Sequence, residues 1–442
     1  MRGSFMMREK ETVVITGMGA VSPIGNTVDE MWDSVLAGRC GIAPITRYDV
    51  SDRKVKLAGE VRDLDLSAYM DGRDARRMDR YAQYAVAAAV QAMRDAGIPE
   101  ADESMPYEER IRWGCMMASG IGGLRTIEEE QMRGVEKGFD RVSPYFIPKT
   151  IANMGAAHIA IRYGLHGICT CAVTACASAA NAIGDAYRMI SDGYADLILA
   201  GGAESALTPL GMGGFTSLKA LTDAEDPARA SIPFDQERSG FVMGEGAGAI
   251  VLESLTHARA RGAKIYAVLA GYGTTCDAYH MTAPMPDGTG AAACMKLALQ
   301  DAGVQPEEVD YINAHGTSTP MNDKCETAAI YQVFGERARG TESAAAAVNS
   351  GGTDHLRVSS TKSMTGHLLG ASAAIEAILT AKALQEQFLP PTVNYRNPDP
   401  ECDLDVVPNQ GYTYPARTAL SNSFGFGGHN VCLVFKKAES LQ

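Results

Sequence analysis

Short apolar runs alternate with longer, alanine-rich stretches along this chain. Apolar runs of strand length read as strands at Thr12–Ile15, Trp113–Ala118, Leu197–Ala200 and Ala247–Glu253. They recur at Ile265–Tyr272, Val309–Asn313, Arg357–Ser360 and Val431–Phe435. Ala-rich stretches between them read as helices over Asp79–Ala96, Cys176–Ser191, Gly290–Ala302 and Gly370–Gln385. Such alternation predicts an α/β fold, with sheets covered by helices on both faces. Both halves contain the order strand, turn, reactive residue and Ala-rich helix, so two related halves are expected. The stretch His257–Lys264 breaks the pattern and places the boundary, giving halves of 12–260 and 261–437.

One junction in this pattern carries a thiol. Cys176, in Val173-Thr174-Ala175-Cys176-Ala177-Ser178-Ala179, stands where an apolar stretch meets the helix beginning at residue 176. Unpaired N–H groups and the positive end of the helix dipole favour a thiolate there, and the same groups can hold an oxyanion. A lone cysteine is more often a small core residue, so the reading needs partners. His315, in Asn313-Ala314-His315-Gly316-Thr317-Ser318-Thr319-Pro320, follows a strand directly. His367, in Ser359-Ser360-Thr361-Lys362-Ser363-Met364-Thr365-Gly366-His367, lies in a polar turn between a strand and an Ala-rich helix. Near the C-terminus, Asn422-Ser423-Phe424-Gly425-Phe426-Gly427-Gly428-His429-Asn430 reads as a glycine loop able to aim an N–H at a bound oxygen.

These ordered motifs resemble those of the β-ketoacyl-acyl-carrier-protein synthases, the Cys-His-His condensing enzymes of fatty-acid elongation. The resemblance runs from about Thr12 to Lys437, and the flanking GMGGFTSLKAL and GHLLGASAAIEA are more similar to the elongating type II branch than to type I. It implies a thiolase-like fold, in which two similar α/β halves make a five-layer αβαβα sandwich. It implies that Cys176 carries the acyl chain and that His315 and His367 bind the malonyl thioester. Lys362 would order the site, and the N–H groups of Cys176 and Phe426 would form the oxyanion hole, with Phe426 as gate. Thr317 and Thr319 match hydroxyls that bind the phosphopantetheine arm; Ile121 matches a residue of the acyl pocket, and Phe215 one flanking the pantetheine tunnel. Asn313, Glu376, Ser421 and Asn422 match positions that hold a structural cation in some relatives, but oxygen-bearing residues alone do not establish one, and no metal is assigned. No cofactor of the enzyme's own is implied, because the carrier substrate brings the pantetheine arm. A homodimer with adjoining nucleophile-bearing halves is also implied.

Rival readings are separated by single residues. A thiolase would place a second cysteine in NSFGFGGHN, and chalcone-synthase-like or initiating synthases pair the nucleophile with His and Asn. A chain-length factor lacks the nucleophile. A ketosynthase of a polyketide or specialised lipid pathway remains the alternative, with a non-catalytic carrier-binding subunit as the reading from another class. His429 stands where relatives carry either His or Thr.

Charge and composition refine this picture. The 442 residues are 46% hydrophobic and 21% charged, ordinary globular values, and no apolar run of the roughly 20 residues needed to span a bilayer is present. No secretory signal opens the chain, and scattered cysteines suit a reducing compartment, so a cytoplasmic enzyme is expected. A net charge of −13 argues against nucleic acid as partner. It also means that an acidic carrier protein needs a local basic patch. A helix starting near Arg73 would put Arg73, Arg76, Arg77 and Arg80 on one face; the resemblance makes this face the docking site, with Lys219 a second contact. Cys169, Cys171 and Cys176 lack zinc spacing. Val13-Val14-Ile15-Thr16-Gly17-Met18-Gly19 imitates a dinucleotide fingerprint, but Ser22 stands where the third glycine belongs, leaving a core strand and its turn. Residues 1–11 read as a tag-like leader, and 338–355 as an exposed insertion.

Overall fold

The computed structural model describes residues 10–101, 105–340 and 355–441. Ten strands among them form one continuous sheet. The N-terminal half supplies β1 (Val13–Val21), β2 (Trp113–Ala118), β3 (Cys169–Thr170), β4 (Leu197–Glu204) and β5 (Gly246–Ser254). The C-terminal half supplies β6 (Ala267–Cys276), β7 (Tyr311–Asn313), β8 (Arg357–Ser359), β9 (Thr418–Gly425) and β10 (His429–Lys437). Their spatial order is β8-β7-β9-β10-β6-β1-β5-β4-β2-β3, so each half repeats the other about the β6–β1 seam. Strand directions repeat as well: β2 is parallel to β4 and β7 to β9, whereas β4–β5 and β9–β10 are antiparallel. The seam is short, pairing Val13–Ile15 with residues 267–269.

Of the hydrophobic clusters, the three largest fill the spaces between five layers, one of them spanning both faces of the central layer. Helices α1 (Arg80–Asp95) and α2 (Met154–Tyr163) cover the outer face of the first half-sheet. Helices α4 (Thr289–Ala302) and α5 (Pro320–Phe334) cover the second. Between the half-sheets lie α3 (Ser178–Ser191) and α6 (Ser372–Glu386). This arrangement is the expected thiolase-like αβαβα sandwich. It explains why α6 is buried from Ser372 to Leu384: a helix covered on every side carries no polar stripe.

Several local expectations are corrected. Gly17 and Gly19 lie inside β1, with no turn between them; a Cβ at either would come within about 2.2 Å of an α1 carbonyl, so glycine permits helix-on-strand contact. Most of NSFGFGGHN is strand rather than loop, because β9 runs to Gly425 and β10 begins at His429. No single helix carries Arg73 to Arg80. Asp71 caps a short helix, Gly72–Arg76, and Asp79 caps α1, whose first residue is Arg80. Residues 1–9 and 341–354 of the two segments expected to be a leader and an insertion lie outside the described residues. The start of the latter is anchored: Ala338 is buried, and Gly340 N–H donates to the Asp403 carbonyl at 2.7 Å. Glu11 N–H likewise donates to the Ser191 carbonyl at 2.9 Å. No helix of the described residues is long and apolar enough to cross a membrane.

Candidate active site

Each half delivers its reactive residue just beyond a strand. After β3, a 3-10 turn over Ala175–Ala177 leads into α3 and carries Cys176. After β8, the chain passes Lys362, His367 and a second 3-10 turn, Leu369–Ala371, before α6. The turns share a strained signature: Ala175 and Leu369 have φ of 50° and 49°, and each helix then starts with a serine. The residue related to Cys176 is therefore Gly370. His367 lies three positions before that residue. His315 follows β7, and α5 fixes its turn: Glu326 accepts from His315 N–H at 2.8 Å and Gly316 N–H at 2.7 Å, while Asp323 accepts from Thr317 N–H at 3.0 Å.

A cavity of about 380 Å³ brings these residues together. Cys176, His315, His367, Thr317, Thr319, Phe215, Lys219 and Phe426 all line it. The His315 and His367 rings stand edge to face with centroids 5.4 Å apart. Phe241 packs on His367 and Phe424 on His315, and Phe215 bridges Phe241 to Phe426. The Thr317 and Thr319 hydroxyls lie 2.9 Å apart. Ile121 does not line this cavity; it packs, half-buried, in the apolar cluster around Cys176 that includes Leu207, Met212 and Leu369.

Electrostatics decide the resting protonation states. Burial pushes the Cys176 thiol up to about 12, overcoming the Lys362 charge and the N–H groups of Phe426 and Cys176 that reach its sulfur. The expected resting thiolate is thus replaced by a thiol. Yet both N–H groups assigned to the oxyanion hole converge on that sulfur. Burial, reinforced by Lys362, holds His315 and His367 well below the usual imidazole range, so both are neutral. Ser372 Oγ lies 2.9 Å from His367 Nδ1; with the hydroxyl donating, the proton resides on Nε2. Lys362 is buried, donates to the His315 carbonyl at 2.7 Å and pairs with Glu376.

Buried carboxyls that escaped the sequence reading include Asp323, Glu326 and Glu204. Asp323 and Glu326 sit three apart on the α5 face toward His315; that helical spacing after the His-Gly-Thr turn was their available signal. Glu204, at the end of β4, has no local signal. Burial raises Glu204 and Glu326 each to about 7.

The residues matched to a structural cation and to carrier docking also have defined places in the fold. Asn313 and Ser421 pair across β7 and β9, and the Asn313 side chain, Glu376 Oε2 and Asn422 Oδ1 are buried without a hydrogen-bond partner. Oxygen donors of this kind fit a hard cation. Among the described residues no cluster of three His, Cys, Asp or Glu side chains forms a metal site, and all ten cysteines are free. Arg73, Arg76 and Arg77 are exposed, whereas Arg80 is half-buried and its guanidinium is pulled down by burial. Arg80 therefore leaves the expected basic face.

A duplicated thiolase-like sandwich that brings one thiol to two neutral imidazoles has the form of a condensing enzyme. The chain matches the family models "Beta-ketoacyl synthase, N-terminal domain" over residues 10–258 and "Beta-ketoacyl synthase, C-terminal domain" over residues 266–396. It belongs to the β-ketoacyl synthase family. It is 50% identical over 434 residues to a 3-oxoacyl-[acyl-carrier-protein] synthase 2 of Synechocystis sp., covering 97% of this chain and 99% of that protein. To the protein of the same name from Staphylococcus aureus strain N315 it is 47% identical, covering 98% and 100%. It also superposes with a TM-score of 0.85 and 36% identity on a ketosynthase solved with its type II polyketide acyl carrier protein and bound to the hexaketide, covering 97% of this chain and all of that one.

Proposed function

We propose that this protein is an elongating β-ketoacyl-acyl-carrier-protein synthase of fatty-acid synthesis. One observation carries the reading: Cys176, His315 and His367 line a single cavity, with the imidazoles held neutral. The identity to the 3-oxoacyl-[acyl-carrier-protein] synthases 2 favours this pathway over the polyketide alternative, whose ketosynthase superposes at lower identity.

In the first half-reaction, the Cys176 sulfur attacks the carbonyl of an acyl-carrier thioester. The C–S bond to pantetheine breaks, the thiol proton passes to the departing sulfur, and the acyl chain stays on Cys176. The Cys176 and Phe426 N–H groups receive the oxyanion. With the thiol raised to about 12, the proton is still on sulfur when the acyl thioester arrives. In the second half-reaction, malonyl-carrier places its thioester carbonyl between the His315 and His367 N–H groups. Carbon dioxide leaves, the imidazoles stabilise the enolate, and its carbon attacks the acyl-Cys carbonyl. The Cys176 sulfur departs and takes a proton, leaving a β-ketoacyl chain two carbons longer. Neutral imidazoles donate without a charge that would have to be lost afterwards.

Thr317 and Thr319 hold the pantetheine arm, Phe215 flanks it and Phe426 gates it. Lys362 positions His315 through its carbonyl, and Ile121 meets the acyl chain beyond Cys176. The acidic carrier docks on Arg73, Arg76, Arg77 and Lys219; the carrier-bound structural neighbour supports such a partner. A homodimer in the cytoplasm completes the proposal, supported by the exposed edge strand β3 and exposed Val173 beside the nucleophile turn. The test is condensation of acyl-carriers of several lengths with malonyl-carrier by wild type and Cys176→Ala. Wild-type condensation that vanishes in the variant sustains the reading; condensation by Cys176→Ala overturns it.

A further inference from the structure

The internal repeat extends to what faces each 3-10 turn. Cys176 and Gly370 are the middle residues of the two turns, and the turns pack together. Each also meets the strand end belonging to the other half. Opposite Cys176, β9 ends at Gly425, where an added Cβ would lie 3.1 Å from the Cys176 nitrogen. Opposite Gly370, the counterpart strand β4 ends at Glu204, and a carboxylate takes the corresponding N–H. Glu204 Oε2 accepts from Gly370 N–H at 3.1 Å and Gly120 N–H at 2.8 Å. Its Oε1 accepts from Ile121 N–H at 3.3 Å and the Ser119 hydroxyl at 3.0 Å. Three backbone N–H groups and a hydroxyl converging at a helix start make an anion site. One copy of this site is open to substrate; the other holds the protein's own anion.

We propose that Glu204 plugs the pseudo-symmetric counterpart of the oxyanion site and is a positioning residue, clamping the Gly370 turn behind His367 to the Gly120–Ile121 turn beside the acyl chain. The inference rests on the condensing-enzyme reading above. The clamp is tight: a Cβ on Gly370 would lie 2.3 Å from Gly120 N and 2.7 Å from Glu204 Oε2. Glu204 has a second effect of opposite sign, because its charge opposes ionisation of Cys176, whereas Lys362 favours it. Clamping aids condensation while the charge restrains the free thiol. Glu204→Gln separates the two. It keeps the shape, removes the charge and replaces one accepting oxygen by an NH2 that cannot accept from the N–H groups it faces.

The experiment uses the full chain, with iodoacetamide labelling mapped by mass spectrometry beside steady-state condensation. In Glu204→Gln, Cys176 should alkylate about threefold to tenfold faster at pH 8. Condensation kcat should fall by at least about tenfold, with KM for malonyl-carrier within about twofold because the pantetheine tunnel is untouched. Protection of buried Cys115 and Cys294 in the same digest shows that the fold is intact. Condensation within about threefold of wild type, or unchanged or slower Cys176 labelling, overturns the proposal. If Glu204→Gln unfolds, Gly370→Ala wedges the clamp while keeping the charge. It should lose kcat without faster labelling, and retention of kcat within about threefold overturns the proposal. Wild type that condenses nothing would sink the condensing-enzyme reading itself, whereas active wild type matched by Glu204→Gln sinks only the clamp.

Discussion

Replacing Lys362 by Met removes a buried ammonium that Glu376 and the His315 carbonyl share. Glu376 is 2% exposed and its second oxygen has no partner, so the variant would leave a carboxylate stranded in the central layer. Breaking a buried ion pair from one side costs about 3–5 kcal/mol. An unfolding entropy of about 2.1 cal/mol/K per residue gives roughly 0.9 kcal/mol/K for 442 residues. The melting temperature should therefore fall by about 3–5 °C. Adding Glu376→Gln removes the stranded charge and should recover at least about half of that loss. Activity should behave differently. His315 loses its carbonyl anchor in both variants, and both imidazoles lose a positive neighbour that helps hold them neutral. Their pKa values then rise, so imidazolium accumulates at higher pH than in wild type and the acid limb of malonyl decarboxylation moves toward neutrality. Calorimetry and the decarboxylation pH profile measure the two effects. A single variant melting within about 1 °C of wild type, or a double variant with restored kcat, would refute the reasoning.

The remaining predictions probe the nucleophile, pocket and docking face. Because the Cys176 thiol is raised to about 12, its alkylation rate should climb about tenfold per pH unit from 7 to 9; a plateau below pH 8 would contradict the burial argument. Ile121→Phe adds bulk to the cluster around Cys176 and should shift the accepted acyl chains shorter; an unchanged length profile in the condensation assay removes Ile121 from the pocket. Arg76→Glu reverses an exposed charge and should raise KM for the carrier several-fold at low salt, with the difference shrinking at about 0.5 M salt. It should leave a free pantetheine thioester unaffected, and equal effects on both substrates would move docking elsewhere.

Local pattern carried much of the fold because period and turn chemistry are local properties. The alternation of strands and Ala-rich helices predicted an α/β duplication, and the motifs around Cys176, His315 and His367 named residues that share one cavity, with Lys362 buried behind it on the His315 carbonyl. Where the reading slipped, a neighbour distant in sequence had intervened. Gly17 and Gly19 looked like a turn but serve the approach of α1, more than sixty residues away. Arg80 looked like the fourth member of a basic face, but Asp79 caps a new helix there and Arg80 stands half-buried at its start.

The sequence by itself determined the reactive side chains, their order and the doubling of the chain, since residue type and short-range spacing are written in it. Tertiary structure alone decided their chemical states. Burial makes Cys176 a thiol and its histidines neutral, and the packing of one half on the other aligns Cys176 with Gly370. It also sets Glu204 against a turn 166 residues away. Desolvation and pseudo-symmetric contact depend on which surfaces close over a group, and that is fixed only when the layers assemble.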